Sequence, residues 1–329
     1  MSMASALFSF DFTPFRKYVR ENQRHVDRPI FIFPCGGEEG SHHSRKRVRE
    51  YVHRRNGFQN IFCLTAEDIA KERALDSLNL LEQEALLADI CDCIIIFAES
   101  VGSFCELGAF TALPHASAIT AVAVDKKHRG EHSYILDGPV KHIEQGRQPL
   151  NQVFYVDLEN PFSSASFTKY ISDLRANVRE SLTRSQTKDR KKFNTKESEI
   201  MAGSLVHELL DILQLFGPLT KGELEYIYCE IKNFKYKYDN LKIKSEILMQ
   251  DMKKSREFSL TQILSMMRAT GLVEVLHDST EPLSRQKYSA RIHLESYYMF
   301  SNTDSPSFSN LRASFILKRR NVAKRERYW

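Results

Sequence analysis

Five short runs of almost uninterrupted apolar residues recur through the first half of the chain, at 29–34, 60–64, 92–98, 118–125 and 152–156. They constrain the fold more than any other feature. A strand with one wet face alternates apolar and polar residues, whereas a strand covered on both faces has no such need. Each run therefore predicts a strand packed on both sides. Helical patterns fill the intervals at 44–55, 75–90 and 103–113, and another follows at 166–182. Alternation of strand and helix requires crossover connections, hence a parallel sheet with helices on both faces. The expected class is α/β. In such sheets ligands bind at the carboxyl ends of the strands, so the residues just after each run matter most for function.

Residues 184–197, RSQTKDRKKFNTKE, lack apolar periodicity and read as a charged linker. They separate an expected first domain, 1–183, from a second, 198–329. The second has a different rhythm. Helical periodicity runs over 200–216 and stops at Gly217-Pro218. A second helix begins at Thr220, where Thr220 and Glu223 have capping-box spacing. A lysine-rich stretch, FKYKYDNLKIKSEI, intervenes before a third helix over 259–270, which Gly271 stops. LVEVLH and KYSARIHL, joined by DSTEPLS, read as a hairpin. Helices followed by a hairpin form a winged helix-turn-helix pattern. Charge follows the same division. Residues 184–329 hold 26 Lys and Arg against 18 Asp and Glu, and 1–183 hold 21 against 24. The basic half is the candidate for a polyanionic partner.

No apolar run approaches the roughly 18 residues needed to span a bilayer, and the opening MSMASALFSFDF is not patterned as a signal peptide. Six cysteines without a second ligand pair suggest thiols in a reducing cytoplasm; Cys91 and Cys93 border an apolar strand and read as buried. His42 and His43 sit in a polar loop and read as solvated rather than metal-bound. The following RKRVREYVHRR is a basic helix face, open to phosphates or to water.

The segment over 92–110, DCIIIFAESVGSFCELGAF, concentrates the chemistry. A buried strand enters a turn at Gly102, where backbone can approach a ligand, and a helix is expected from Ser103. Its N-terminus offers unpaired N–H groups to polar or anionic oxygens. Glu106 falls in the first turn. Ser103 and Glu106 also have capping-box spacing, which needs no ligand.

ESVGSFCELGAF resembles the signature of the nucleoside 2-deoxyribosyltransferase-like superfamily, in which a glutamate in a G-x-x-x-E-L-G context attacks an anomeric carbon; Gly102, Glu106, Leu107 and Gly108 match it. The likeness extends to PIFIFPCGG and to the acidic helix before Asp92. It implies that Glu106 is the nucleophile and that Glu84 orients sugar or nucleophile. It further implies that Cys35, Gly36 and Gly37 border sugar or phosphate, with Asp125 and Ser133 as outer site residues. Ser100 stands where deoxyribosyltransferases carry a base-recognising aspartate. That departure suits a leaving base that needs no protonation, such as the cationic nicotinamide of NAD. A carboxylate beneath the anomeric carbon stabilises an oxocarbenium-like state, and no metal or bound cofactor is required, NAD being the substrate.

A deoxyribosyltransferase-like domain followed by a winged helix resembles the effector proteins of bacterial retrons. The resemblance implies an antiphage toxin held by a reverse transcriptase and its branched RNA–DNA product, msDNA, in a higher-order assembly. The tail LKRRNVAKRERYW then becomes a candidate nucleic-acid contact. Three functions remain open: an NAD glycohydrolase, a nucleoside or nucleotide deoxyribosyltransferase or hydrolase, and a nucleotide-sensing DNA-binding regulator.

Overall fold

The computed structural model describes residues 10–21, 28–54, 60–70, 72, 75–184, 196–245, 247, 257–276, 286–291, 299–300 and 306–326. Its centre is a five-stranded sheet of β1 (Ile30–Cys35), β2 (Ile61–Cys63), β3 (Cys93–Ala98), β4 (Thr120–Asp125) and β5 (Val153–Val156). The strand order is β2-β1-β3-β4-β5 and every pairing is parallel. β1 and β3 are buried along their whole length, as their unbroken apolar runs require. Order reverses between β1 and β3, so the crevice beyond their carboxyl ends is the topological switch point.

The helices that frame this crevice are α2 (Ser44–Arg54), α3 (Leu80–Ile90) and α4 (Val101–Ala112). The expected helix over 75–90 is shorter at its start because Asn79 caps it, accepting from the Glu82 N–H while Glu82 reaches back. The expected helix over 166–182 is two, α5 (Ala165–Ser172) and α6 (Leu174–Arg184), meeting at Asp173. Tyr170 on α5 donates to the Leu150 carbonyl from the core.

The second half is built around α7 (Ala202–Phe216), in which every side chain except Gln214 is buried. After α7 come β7 (Leu219–Thr220) and α8 (Lys221–Lys232), whose Thr220–Glu223 capping box forms as its spacing predicts. α9 (Leu260–Ala269), β10 (Val273–Leu276) and β11 (Lys287–Ala290) follow. β10 and β11 pair antiparallel, and β11 also pairs antiparallel with β7, the strand between the first two helices. The hairpin turn over 277–285 and residues 185–195 of the expected linker lie outside the described residues. Two features escape sequence patterning. β6 (Ile200–Met201) pairs in parallel with β8 (Ile243–Lys244), which pairs antiparallel with β9 (Glu257–Phe258). The basic tail begins as a long helix, α10 (Pro306–Glu326).

α7 packs directly on α3, and buried polar groups fix the contact. The Arg28 guanidinium donates to Asp92 Oδ1 at 2.5 Å and contacts His207 Nε2 at 2.9 Å. Asp92 Oδ2 accepts the Phe31 N–H at 3.0 Å, and the His207 ring stacks on Phe31. Asp89 on α3 accepts the Ile247 N–H. Glu208 pairs with Lys232 within the core. Buried charges persist only when partnered in this way.

The chain ends close one aromatic cluster. Phe12, just before α1 (Thr13–Glu21), meets Phe216 of α7, Phe315 of α10 and Tyr226 of α8, and Phe15 within α1 meets Phe216. Two arginines of α10 cap the C-terminus of α7. Arg312 Nε donates to the Leu215 carbonyl at 3.0 Å, and Arg319 donates to the carbonyls of Phe216 and Pro218. Arg319, inside the tail read as a nucleic-acid contact, is therefore committed to orphan helix carbonyls. No described helix is long and apolar enough to cross a membrane.

Candidate active site

α4 starts two residues earlier than expected, at Val101, and this changes the role of its side chains. The cap is Ser100, whose Oγ accepts the Ser103 N–H at 3.1 Å, while Ser103 Oγ accepts the Ser100 N–H at 2.9 Å. The capping box is thus Ser100 with Ser103, not Ser103 with Glu106. Ser103 is fully buried beneath the turn and also accepts the Glu99 N–H. Glu106 is released from any capping duty and sits one turn into the helix. Gly102 has φ in the ordinary range, and a Cβ there would make only ordinary contact with Ser100 Oγ at 3.8 Å, so sterics do not demand glycine there.

The Glu106 carboxylate is half-buried, and its buried Oε2 makes no hydrogen bond with any described residue. Burial, reinforced by the negative charge of Glu84, pushes its pKa up to about 7; Arg45 opposes the shift and Glu67 adds to it. Glu84 on α3 is also raised, by burial and by Glu67. Cys35, at the end of β1, is buried, and its thiol is pushed well up by burial and by the charges of Glu106 and Glu84. Cys35, Glu84 and Glu106 are therefore brought together, from β1, α3 and α4. A half-buried carboxyl with a strongly raised pKa, beside other carboxylates at a sheet's ligand-binding edge, marks a candidate functional cluster on physical grounds.

The turn after β1 is held by two buried opposite charges. The Gly37 N–H donates to Glu99 Oε1 at 3.0 Å. The Gly37 carbonyl accepts from Arg45 Nε at 3.1 Å and Nη2 at 2.7 Å. Arg45 Nη1 also binds Glu67, on the single helical turn Ala66–Ile69. Burial works against the Glu67 charge, but the hydrogen bond from Arg45, a backbone hydrogen bond and the charges of Arg45 and Arg49 together outweigh it and hold that carboxyl below its usual range. Ser44 donates toward Glu99 Oε2, 2.7 Å away, and also lies 2.6 Å from the Leu158 carbonyl. Gly36 and Gly37 are needed for space. A Cβ on Gly36 would lie 2.7 Å from Glu99 Oε1, and one on Gly37 would lie 2.1 Å from the His42 ring.

Gly36→Ala is expected to displace the pinned Glu99 carboxylate, break its bond to the Gly37 N–H and lower stability by about 1–3 kcal/mol. A thermal melt unchanged from the parent would refute that account.

The remaining candidates act locally. Asp125, at the end of β4, accepts the Lys127 N–H and pairs with its ammonium. Exposed Ser133 accepts the Leu136 N–H at 3.3 Å. His42 lies 4.0 Å from Glu99, and His43 is exposed; among the described residues no group of three or more His, Cys, Asp or Glu is placed to hold a metal. Arg45, Glu67 and Glu99 escape sequence reading. Arg45 is hidden in a run of cations that otherwise looks solvated. Glu99 carried a usable signal, since it immediately follows β3.

Residues 41–275 match the family model described as STM3845 retron effector protein. A candidate ribosyltransferase/DNA-binding protein of retron Ec73 from Escherichia coli is 27% identical over 241 residues, covering 70% of this chain and 74% of the relative. A candidate ribosyltransferase/DNA-binding protein of retron Ec86, also from Escherichia coli, is 33% identical over 119 residues, 35% of this chain and 38% of the relative. The family match spans well over half of the sequence, including Arg45 and the carboxylates Glu67, Glu84, Glu99 and Glu106, and the chain belongs to the STM3845 retron effector protein family.

Proposed function

We propose that this retron effector cleaves the N-glycosidic bond of NAD, releasing nicotinamide, with Glu106 as the nucleophile. The observation that carries this reading is the Glu106 carboxylate itself, half-buried at the switch point of the sheet with one oxygen uncommitted. In its ionised form it attacks the anomeric carbon of the ribose. The glycosidic electrons leave with the pyridinium nitrogen, which becomes neutral, and water then hydrolyses the glycosyl-enzyme. Glu84, whose carboxyl is held above its usual range by burial and by Glu67, serves as the base that activates this water.

Two features favour a cationic leaving base over an ordinary nucleobase. Glu67, Glu84 and Glu106 place negative charge around the cluster, and the nearby guanidinium of Arg45 is bonded to Gly37 and Glu67. The Ser100 hydroxyl is engaged in the helix cap and is poorly placed to protonate a departing purine or pyrimidine. The same carboxylates argue that a ribose, rather than a phosphate, borders the turn at Gly36–Gly37.

A second reading keeps Glu106 but passes the glycosyl group to another acceptor, in line with the relatives' ribosyltransferase names. Incubation of the purified protein with NAD and with deoxynucleosides separates the two. Free nicotinamide made by the parent and not by Glu106→Ala supports the NAD reading. Free base or exchanged deoxynucleoside supports the second. Nucleotide-dependent DNA binding without turnover of either would favour a sensor.

For the second half we propose a winged helix that contacts the retron's reverse transcriptase and msDNA within a larger assembly. The pairing of β7 with the β10–β11 hairpin, behind three helices, supports that reading. The DNA-binding part of the relatives' names supports it too. Removing residues 321–329, which spares Arg319, takes away Lys324, Arg325 and Arg327. The expected result is weaker msDNA binding, with the salt-dependence slope reduced by about 2. A slope equal to the parent's would remove the tail from the contact.

A further inference from the structure

The strongest unexplained group near the site is Arg45. It lies on α2 within a run of four basic residues in five positions, 45–49, yet it alone turns inward, with its side chain 7% exposed. A buried guanidinium is costly unless each face of it is answered. Here it is answered by two kinds of group. Nε and Nη2 converge on one backbone oxygen, the Gly37 carbonyl, and Nη1 binds Glu67. The opposite end of the same residue, the Gly37 N–H, is bound by Glu99, whose side chain is 5% exposed. One residue of the β1 turn is thus gripped at its N–H by a buried anion and at its carbonyl by a buried cation.

Structure alone does not require this. A glycine turn in a parallel sheet is held adequately by neutral donors and acceptors, at about 1 kcal/mol per hydrogen bond. Two buried charges on adjoining backbone atoms make sense when the turn must also carry a field. The groups facing Glu106 are Cys35 from β1, Glu84 from α3, Glu67 from the turn after β2, and Arg45 from α2. Arg45 is the one cation among them. A single positive charge among acids determines which of them ionises first.

Resting on the reading of Glu106 as nucleophile, we infer that Arg45 is its positioning residue: it fixes the Gly36–Gly37 turn against which the ribose lies, and it supplies the counter-charge that lets Glu106 attack as a carboxylate. Glu99 serves as the second jaw of the grip and orients the Gly37 peptide from its other side. Arg45 itself touches neither the reacting carbon nor the leaving base.

The fork and the charge can be tested separately. Arg45→Gln keeps a donor for the Gly37 carbonyl and removes the charge. Arg45→Lys keeps the charge and loses the fork. The primary readout is the titration of Glu106 in the substrate-free protein, followed by NMR of glutamate labelled at its side-chain carboxyl carbon, with Glu106→Gln assigning the signal. The expected midpoint for the parent is about 7. In Arg45→Gln it should rise by about one pH unit, and in Arg45→Lys it should stay close to the parent's. Nicotinamide release at pH 7 should fall about tenfold or more in both, through charge in the first variant and through a misplaced turn in the second. A midpoint unmoved in folded Arg45→Gln overturns the proposal. If that variant does not fold, a midpoint in Arg45→Lys displaced as far as one unit overturns it equally. Because the titration uses no substrate, it stands or falls independently of whether NAD is turned over.

Discussion

Glu106→Gln is expected to reduce nicotinamide release on the order of 10³-fold or more while leaving the fold intact. The side chains match in size, so the change removes the nucleophile and little else. The parent's activity should rise with pH through about 7, because only the ionised carboxylate attacks and burial holds its pKa near that value. Stability should run the other way. The native state keeps the Glu106 proton between the usual glutamate range and about 7, whereas the unfolded chain releases it from about 4.5. The native state therefore binds more protons in that window, and stability falls as pH rises through it, by on the order of 2 kcal/mol. Glu106→Gln should lose this part of the pH dependence and gain stability at pH 8. An enzyme that retains full activity with glutamine at this position, measured as nicotinamide by chromatography, would end the nucleophile assignment.

The largest effect on stability is expected at Asp92. Asp92→Ala removes a buried carboxylate to which Arg28 donates and the acceptor of the Phe31 N–H. Breaking a buried pair in this way costs about 3–5 kcal/mol. The melting temperature should drop by roughly 5–15 °C. The double variant Arg28→Met/Asp92→Leu should recover most of that loss, since replacing both charges with apolar groups removes the uncompensated ion. If the double variant melts as low as the single one, the network does more than neutralise two charges. The site would also respond, because Arg28 and Asp92 precede β1 and β3, whose far ends carry Gly36 and Glu99.

The five strands were legible because burial on both faces leaves a simple signature, and their ends fall within two residues of the apolar runs. Glu106 was legible through its setting in ESVGSFCELGAF. The start of its helix was less so, since Ser100 and Ser103 can each cap, and only the backbone decides that both are used in one box. Arg45 and Glu99 could not be read in the same way. Charges next to other charges look solvated in sequence, and only the closure of the sheet puts one on each side of Gly37. The two-residue strands at 200–201, 243–244 and 257–258 are too short to carry a period. α10 was masked by its basic end, although Phe308, Leu311 and Phe315 mark an apolar stripe along its beginning.

The aromatic cluster joins the first described residues to the last helix, with Phe10 and Phe12 against Phe315. That arrangement imposes a schedule on biosynthesis. The sheet and the carboxylate cluster can close as soon as β5 has been made, long before α10 exists. Phe10, Phe12 and Phe15 must wait until α10 has left the ribosome before it can cover them. An interrupted translation product would carry the carboxylate cluster together with a sticky, uncovered aromatic patch, a combination that directs such fragments to chaperones and proteases.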